Sequence, residues 1–394
     1  MPGRAVPLLR LGAAVAGAIA LAAVLAVTGW RAEHFRDGDF IQYWLAGRAL
    51  LDGADVYDPL TWWGLHDAIG SGGFEIAPGL GFLYPLPVAL YALPFALVPL
   101  SLAGPLWFVA QGTTALVTLV ALGRRLFSWA PRRDLVLLLV LAAVMEPVYL
   151  IGNDGNMARF LVAIAGGALA LLLGGRPFAA GVVLGFAGVK PQLFVLFVPL
   201  VVVCCPARLR ARFVAGGVAM TVASLLVTLA LRPSWIAEWV GQALRAHGDY
   251  GRLNVWGLIG GGSAWLAVLI VTGALIAFVW WWWVARPSLA QLAGAGLGLS
   301  LFFAPYSSEY DLAVLLVGVP VVLATIAAFP PVWRAAIIVV LIVTSPVLTV
   351  VSAMGLIDPT AQFIPTVAFP ALIVGTQLIA PTLARHRGPD RRVG

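Results

Sequence analysis

The residues able to do chemistry in this chain are few, and they gather in short turns between long apolar stretches. One such turn is Asp37-Gly38-Asp39-Phe40-Ile41-Gln42-Tyr43-Trp44. A carboxylate there is hydrated enough to stay ionised and can still lean into a cavity, which suits a general base that takes a proton from a hydroxyl. Gly38 lets the turn present one carboxylate inward. Asp39 also stands where a helix N-cap would, so a cap within a solvated acidic loop is the competing reading. Downstream, Arg48 leads into Asp52-Gly53 and Tyr57-Asp58-Pro59. Gly53 reads as a helix C-cap and Asp58-Pro59 as a turn, so a structural role is the favoured reading here, with Tyr57 left as a candidate for lining a binding site. Tyr84-Pro85-Leu86-Pro87 opens a proline-broken apolar stretch. Such a stretch makes a poor span but a good wall for a lipid-accessible cavity.

Three further turns carry polar groups that are costly beside a membrane unless they are used. Gly152-Asn153-Asp154-Gly155-Asn156, with Arg159 close behind, joins two apolar segments, and Glu146 stands within the one before it. An ordinary Asn-Gly turn is the alternative there. Lys190, followed by Pro191, lies between two short apolar segments. Its ammonium could meet a phosphate as a point charge, or snorkel to the interface. Pro305-Tyr306-Ser307-Ser308-Glu309-Tyr310-Asp311 packs carboxylates, phenols and hydroxyls between apolar segments. Anchoring in a bilayer needs no such density, so this turn reads as facing substrate.

The elements that must position these turns are membrane helices. Of 394 residues, 61% are hydrophobic and 10% charged, with mean hydropathy +0.98. A soluble domain carries about 25% charged residues. The apolar residues cluster in blocks of roughly 17–25, the length that crosses a bilayer as a helix. The alternating short segments of a transmembrane barrel are missing. Spans are expected at about 11–30, 102–122, 135–151, 213–231, 263–284, 311–329, 335–353 and 363–381. Shorter or interrupted ones fall at 159–173, 178–190, 192–205 and 288–304. The first, behind Arg4 and Arg10, is read as a retained anchor because it is long for a signal peptide and lacks a small-residue cleavage site. Arginine clusters at 124–133, 208–212 and 385–392 belong on the cytoplasmic side. All of them land there if 80–100 is re-entrant or interfacial rather than a crossing. About twelve crossings follow, with both termini cytoplasmic and a cytoplasmic tail at 382–394.

The chain is thus expected to be an all-α polytopic protein with a single membrane domain over 1–394. A long outer loop at 31–80 holds an amphipathic interfacial helix at about 41–52, and a second outer loop spans 232–262. The net charge of +7 sits at span ends, so no nucleic-acid partner is implied. The adjacent Cys204 and Cys205 read as packing residues, since neighbours reach disulfide geometry with difficulty. No Cys/His cluster has metal spacing.

The order of these features resembles glycosyltransferase family 87, the polyprenol-phosphate-mannose-dependent mannosyltransferases of the GT-C membrane fold. The likeness runs from Asp39-Phe40-x-x-Tyr43, through Gly47-Arg48-Ala49-Leu50-Leu51-x-Gly53-x-x-x-Tyr57-Asp58-Pro59 and Tyr84-Pro85-x-Pro87, to the Gly-Asn turn, Lys190-Pro191 and the Tyr310-Asp311 turn. It implies an inverting transfer of a hexose, typically mannose, from a polyprenyl phosphate to a hydroxyl of a glycolipid or polysaccharide at the outer face of the plasma membrane. Asp39 takes the place of the family's base-like aspartate. Asp37, Tyr43, Arg48, Tyr57, Tyr84, Asn153, Asp154, Asn156, Arg159, Lys190, Tyr306, Glu309, Tyr310 and Asp311 are the expected substrate-binding residues. Lys190, Arg48 or Arg159 would meet the leaving phosphate, and Glu309 or Asp154 would steady the oxocarbenium-like centre. Inversion needs one base and no second carboxylate as nucleophile. No cofactor and no obligatory metal is expected. The competing readings are a transporter or lipid flippase, and a non-catalytic subunit of an envelope-assembly complex.

Overall fold

The computed structural model describes residues 38–71, 79–127, 155–246, 264–304, 307, 309–327, 329–338, 371 and 374–375. The segments expected to span at 11–30 and 135–151 lie outside them, as do nearly all of 363–381, most of 335–353 and the tail at 382–394. Among the described residues every regular element is helical. They include the α-helices α1 Asp39–Asp52, α2 Pro59–Ala68, α3 Leu86–Ala96, α4 Leu100–Leu126, α5 Ala158–Leu173, α6 Pro177–Gly185, α7 Phe197–Cys204, α8 Ala207–Leu231, α9 Trp235–Ala246, α10 Ala264–Ala285, α11 Leu289–Phe303 and α12 Gly318–Ile326. Short 3₁₀ turns at Phe186–Val189 and Pro191–Leu193 flank Lys190, and a longer one, Glu309–Val317, carries Asp311.

Of the described helices, three are long and apolar enough to cross a bilayer: α4, α8 and α10. Arg124 and Arg125 close α4 in its last turn, where cations complement the carbonyl end of the helix. The expected spans at 178–190 and 192–205 instead fold as helices of 9 and 8 residues joined by 3₁₀ turns. Pro191, which stands between the two helices, contributes to this, because proline removes a backbone donor and breaks the ladder. Likewise 80–100 yields the 11-residue α3, too short for a ~30 Å crossing.

Packing separates protein-facing from lipid-facing helices. α5 sits against α4, α6 and the 3₁₀ turn at Glu309–Val317, and buries residues on every side of its axis. On α8 and α10, Leu226, Ile276 and Trp283 stand exposed, as helices bathed in acyl chains would show them. Where α6 crosses α8, a Cβ on Gly181 would lie 1.9 Å from the Phe213 carbonyl oxygen, and one on Gly216 2.1 Å from that of Phe178. Glycine is therefore obligatory on both helices. Close approach through small residues is how apolar helices gain contact when lipid is as apolar as they are.

α1 is more enclosed than an interfacial amphipathic helix. It buries Asp39, Gln42 and Tyr43 together with Phe40, Ile41 and Leu45. Ala46 and Ala49, also buried, let it pack closely on α3. Gly53 ends it in the left-handed region at φ 68°, as the sequence predicts. Cys204 and Cys205 are both free, and Cys205 is buried.

Candidate functional site

The site is built where α1, the Tyr84 turn, the start of α5, Lys190 and the Asp311 turn meet. Asp39 does not cap its own helix: the N-cap is Gly38, which makes no side-chain cap. Instead the buried Asp39 carboxylate accepts a short hydrogen bond from Asn156 Nδ2. Asn156 Oδ1 in turn accepts from the Ala158 N–H at 3.0 Å, so one carboxamide both starts α5 and aims the aspartate. Gly155 makes the approach possible. It sits at φ +68°, and a Cβ there would fall 2.6 Å from Phe40 Cβ. Its carbonyl accepts from Trp107 Nε1 at 2.7 Å, which ties the turn to α4.

Tyr43, one turn from Asp39 on the same face of α1, is the link to the rest. Its hydroxyl donates to Tyr84 Oη at 3.1 Å, and its ring packs on Tyr84 and Trp107. Burial first, then the Asp39 charge, push the Tyr43 phenol well above its usual pKa, and the Asp311 charge acts in the same direction. Tyr43 is therefore a standing proton donor, not a phenolate. The Tyr84 ring lies 5.9 Å from Lys190 Nζ. Lys190 forms an ion pair with Asp311 Oδ1 at 2.7 Å, both side chains almost wholly buried. The lysine therefore does not snorkel. Arg159, also buried, lies one turn into α5 beyond Asn156, with its guanidinium 4.7 Å from the Phe108 ring centroid. Half-buried Tyr310 precedes Asp311 in the same turn.

Other expected site residues stand elsewhere. Arg48 donates toward the Ala96 carbonyl at the end of α3. It lies nine residues from Asp39, about 13 Å along the helix axis, so it serves the α1–α3 contact. Tyr57 is a strut: its hydroxyl donates to the Tyr84 carbonyl at 2.9 Å. Asp58 caps α2 by accepting from the Thr61 N–H at 2.9 Å, with Pro59 at the first helical position. Asp37, Asn153, Asp154 and Tyr306 lie outside the described residues, as does the side chain of Glu309.

Sequence reading passed over the support supplied by α9. Trp239 Nε1 donates to the Leu83 carbonyl at 3.1 Å, and Gln242 bonds both the Tyr57 carbonyl (2.8 Å) and the Gly81 N–H (3.3 Å). Arg232 joins Asp55 to Glu238. The Trp239 and Gln242 contacts hold the 80–84 segment, and with it Tyr84. A signal was present: Trp235, Trp239, Gln242 and Ala246 recur at helical spacing within what reads as an outer loop.

The arrangement joins a buried carboxylate with a fixed donor, a protonated phenol, a buried Lys190–Asp311 ion pair and a buried Arg159. A family model, that of glycosyltransferase family 87, matches residues 82–305 of the 394. The chain belongs to glycosyltransferase family 87. Comparison with curated proteins and with solved structures finds no match. Membership makes this membrane protein a glycosyltransferase, as the sequence resemblance predicts. The family 87 match takes in Tyr84, Asn156, Arg159 and Lys190, and stops short of Asp39 and Asp311 on either side.

Proposed function

We propose that the chain is an inverting transferase that moves a hexose, mannose by the family resemblance, from a polyprenyl phosphate to a glycolipid or polysaccharide hydroxyl at the outer face of the membrane. Asp39 is the base. It takes the acceptor proton while the acceptor oxygen bonds to the anomeric carbon. The bond from that carbon to the phosphate oxygen breaks, and its electron pair leaves with the polyprenyl phosphate. Asn156 holds the carboxylate in line, and the buried Arg159 and the Lys190 of the buried ion pair are the cations that would meet the leaving phosphate. Tyr43 keeps its proton and orients Tyr84.

The observation that carries the reading is the Asp39–Asn156 contact. A carboxylate buried at a helix start that forgoes its cap for a partner 117 residues away is positioned for something other than local structure. Replacing Asp39 by Asn is expected to reduce transfer from a labelled polyprenyl-phosphate hexose by about 10²–10⁴-fold, the range of general base catalysis. Unchanged turnover in a folded variant would falsify the assignment of the base. Reconstituted vesicles should form a glycosidic product rather than only translocate the lipid.

A further inference from the structure

The surface of α9 divides lengthwise into three sides. Trp235, Gln242 and Ala246 are buried, and with half-buried Trp239 they form the side that meets the 80–84 segment. Ile236, Val240 and Leu244 recur every fourth residue and so share a second side. All three are exposed, Leu244 to 69%. Glu238 and Arg245 stand on the third side, Glu238 in the clasp with Arg232 and Arg245 exposed. At 3.6 residues per turn the apolar and charged sides lie about 150° apart around the axis.

The helix that precedes α9 fixes where these sides must go. From Phe213 to Leu231 α8 carries no charged residue, a run of about 28 Å at 1.5 Å per residue, close to the ~30 Å hydrocarbon thickness of a bilayer. Leu231 therefore stands where acyl chains give way to headgroups, and Arg232 is the first charge beyond them. The link to α9 is a tight turn through Pro233, in which the Trp235 N–H donates to the Arg232 carbonyl at 3.3 Å. The exposed apolar surface of α8, with Leu226 and Leu231, is thus resumed at once by Ile236. Single exposed apolar residues are ordinary, but a stripe in register beside a span is a surface for a partner. A helix that is apolar along one side and charged along another satisfies both only by lying on the boundary between hydrocarbon and water.

We propose that α9 lies in the plane of the membrane surface, with Ile236, Val240 and Leu244 seated among the acyl chains of the leaflet where α8 ends. Its inward side then holds Tyr84 from a lipid-anchored helix, so the bilayer itself helps to fix the candidate site. The placement rests on the fold alone and stands apart from the choice of sugar or acceptor.

The test is the accessibility of nitroxide labels on the full chain in nanodiscs, in a Cys204→Ala/Cys205→Ala background. Labels at Ile236→Cys, Val240→Cys and Leu244→Cys should be relaxed more by oxygen, which concentrates among acyl chains, than by a water-soluble nickel chelate. A label at Arg245→Cys should show the reverse order. Preference for the chelate at Val240→Cys and Leu244→Cys overturns the placement. So does shielding of those labels from both agents, as a second copy of the chain would produce. In the chain with both native cysteines, Val240→Ser/Leu244→Ser should speed hydrogen exchange at the Gly81 and Phe82 amides by roughly tenfold, because less apolar area is held in lipid. Arg245→Ser should leave that rate as it is. An unchanged rate in Val240→Ser/Leu244→Ser overturns the support of Tyr84 through lipid, and this measurement decides the matter if the cysteine-free background fails to fold.

Discussion

Lys190–Asp311 and the Arg232 clasp are made of the same chemical groups in opposite surroundings. The side chains of the first pair are 4% and 0% exposed, while Arg232, Asp55 and Glu238 are 25%, 35% and 29% exposed. In the first, water cannot stand in for a lost partner. In the second it competes throughout. The same bond is therefore a requirement in one place and a convenience in the other. The buried pair lies at the foot of Tyr84, among the candidate site residues. The exposed clasp ties the loop after α1 to the turn between α8 and α9, remote from Asp39.

The sharpest way to test this contrast is to break the buried pair. Lys190→Met or Asp311→Asn alone should cost about 3–5 kcal/mol, because a buried charge is left uncompensated. Denaturant or thermal unfolding of the purified protein would register it. The double variant Lys190→Met/Asp311→Leu should regain most of that stability and still fail in transfer, which separates the structural role from the catalytic one. Equal losses in Lys190→Met and Arg232→Met would abolish the distinction.

A smaller effect is expected at Asn156. Its replacement by Ala removes the donor to Asp39 and the contact that starts α5, at about 1–3 kcal/mol. Transfer should drop by roughly tenfold or more through the misaimed base, read as a fall in kcat at saturating donor. The least effect belongs to Arg232→Met, about 0.2–1 kcal/mol, shrinking further in high salt as expected of a pair open to water. Its pH dependence has a defined sign. The hydrogen bond from Arg232 holds the Glu238 carboxyl below its usual range, ahead of an opposing desolvation effect. The clasp is thus complete above the ordinary glutamate pKa and is lost as pH falls through the lower folded value. Arg232→Met and wild type should therefore converge in stability under acid conditions.

Much of this was legible in the chain, and the boundary of legibility is physical. Hydropathy located α4, α8 and α10 because twenty apolar residues in a row admit few other uses. It marked 178–190 and 192–205 as short or interrupted, and there the backbone divides into helices of 9 and 8 residues. Residue chemistry picked out Asp39, Asn156, Lys190 and Asp311 one at a time. It could not pair them, since Asp39 and Asn156 are 117 residues apart and Lys190 and Asp311 121. Local pattern left a cap open for Asp39 and snorkelling open for Lys190, for burial is a tertiary property. Arg48 looked equal to Arg159 as a cation, and only helix geometry sends it to Ala96 instead. Trp239 and Gln242 escaped notice because their partners are backbone atoms of the 80–84 segment, which have no signature of their own.

The spread of these partners along the chain has a bearing on how the protein is made. Synthesis from the N-terminus delivers Lys190 to the membrane well before its counter-charge at Asp311 exists. A product released in between holds a lone ammonium in an apolar setting, the sort of defect that destabilises strongly. Premature termination before Asp311 should therefore yield fragments that are both inert and short-lived, so that an active centre and a durable fold arrive together.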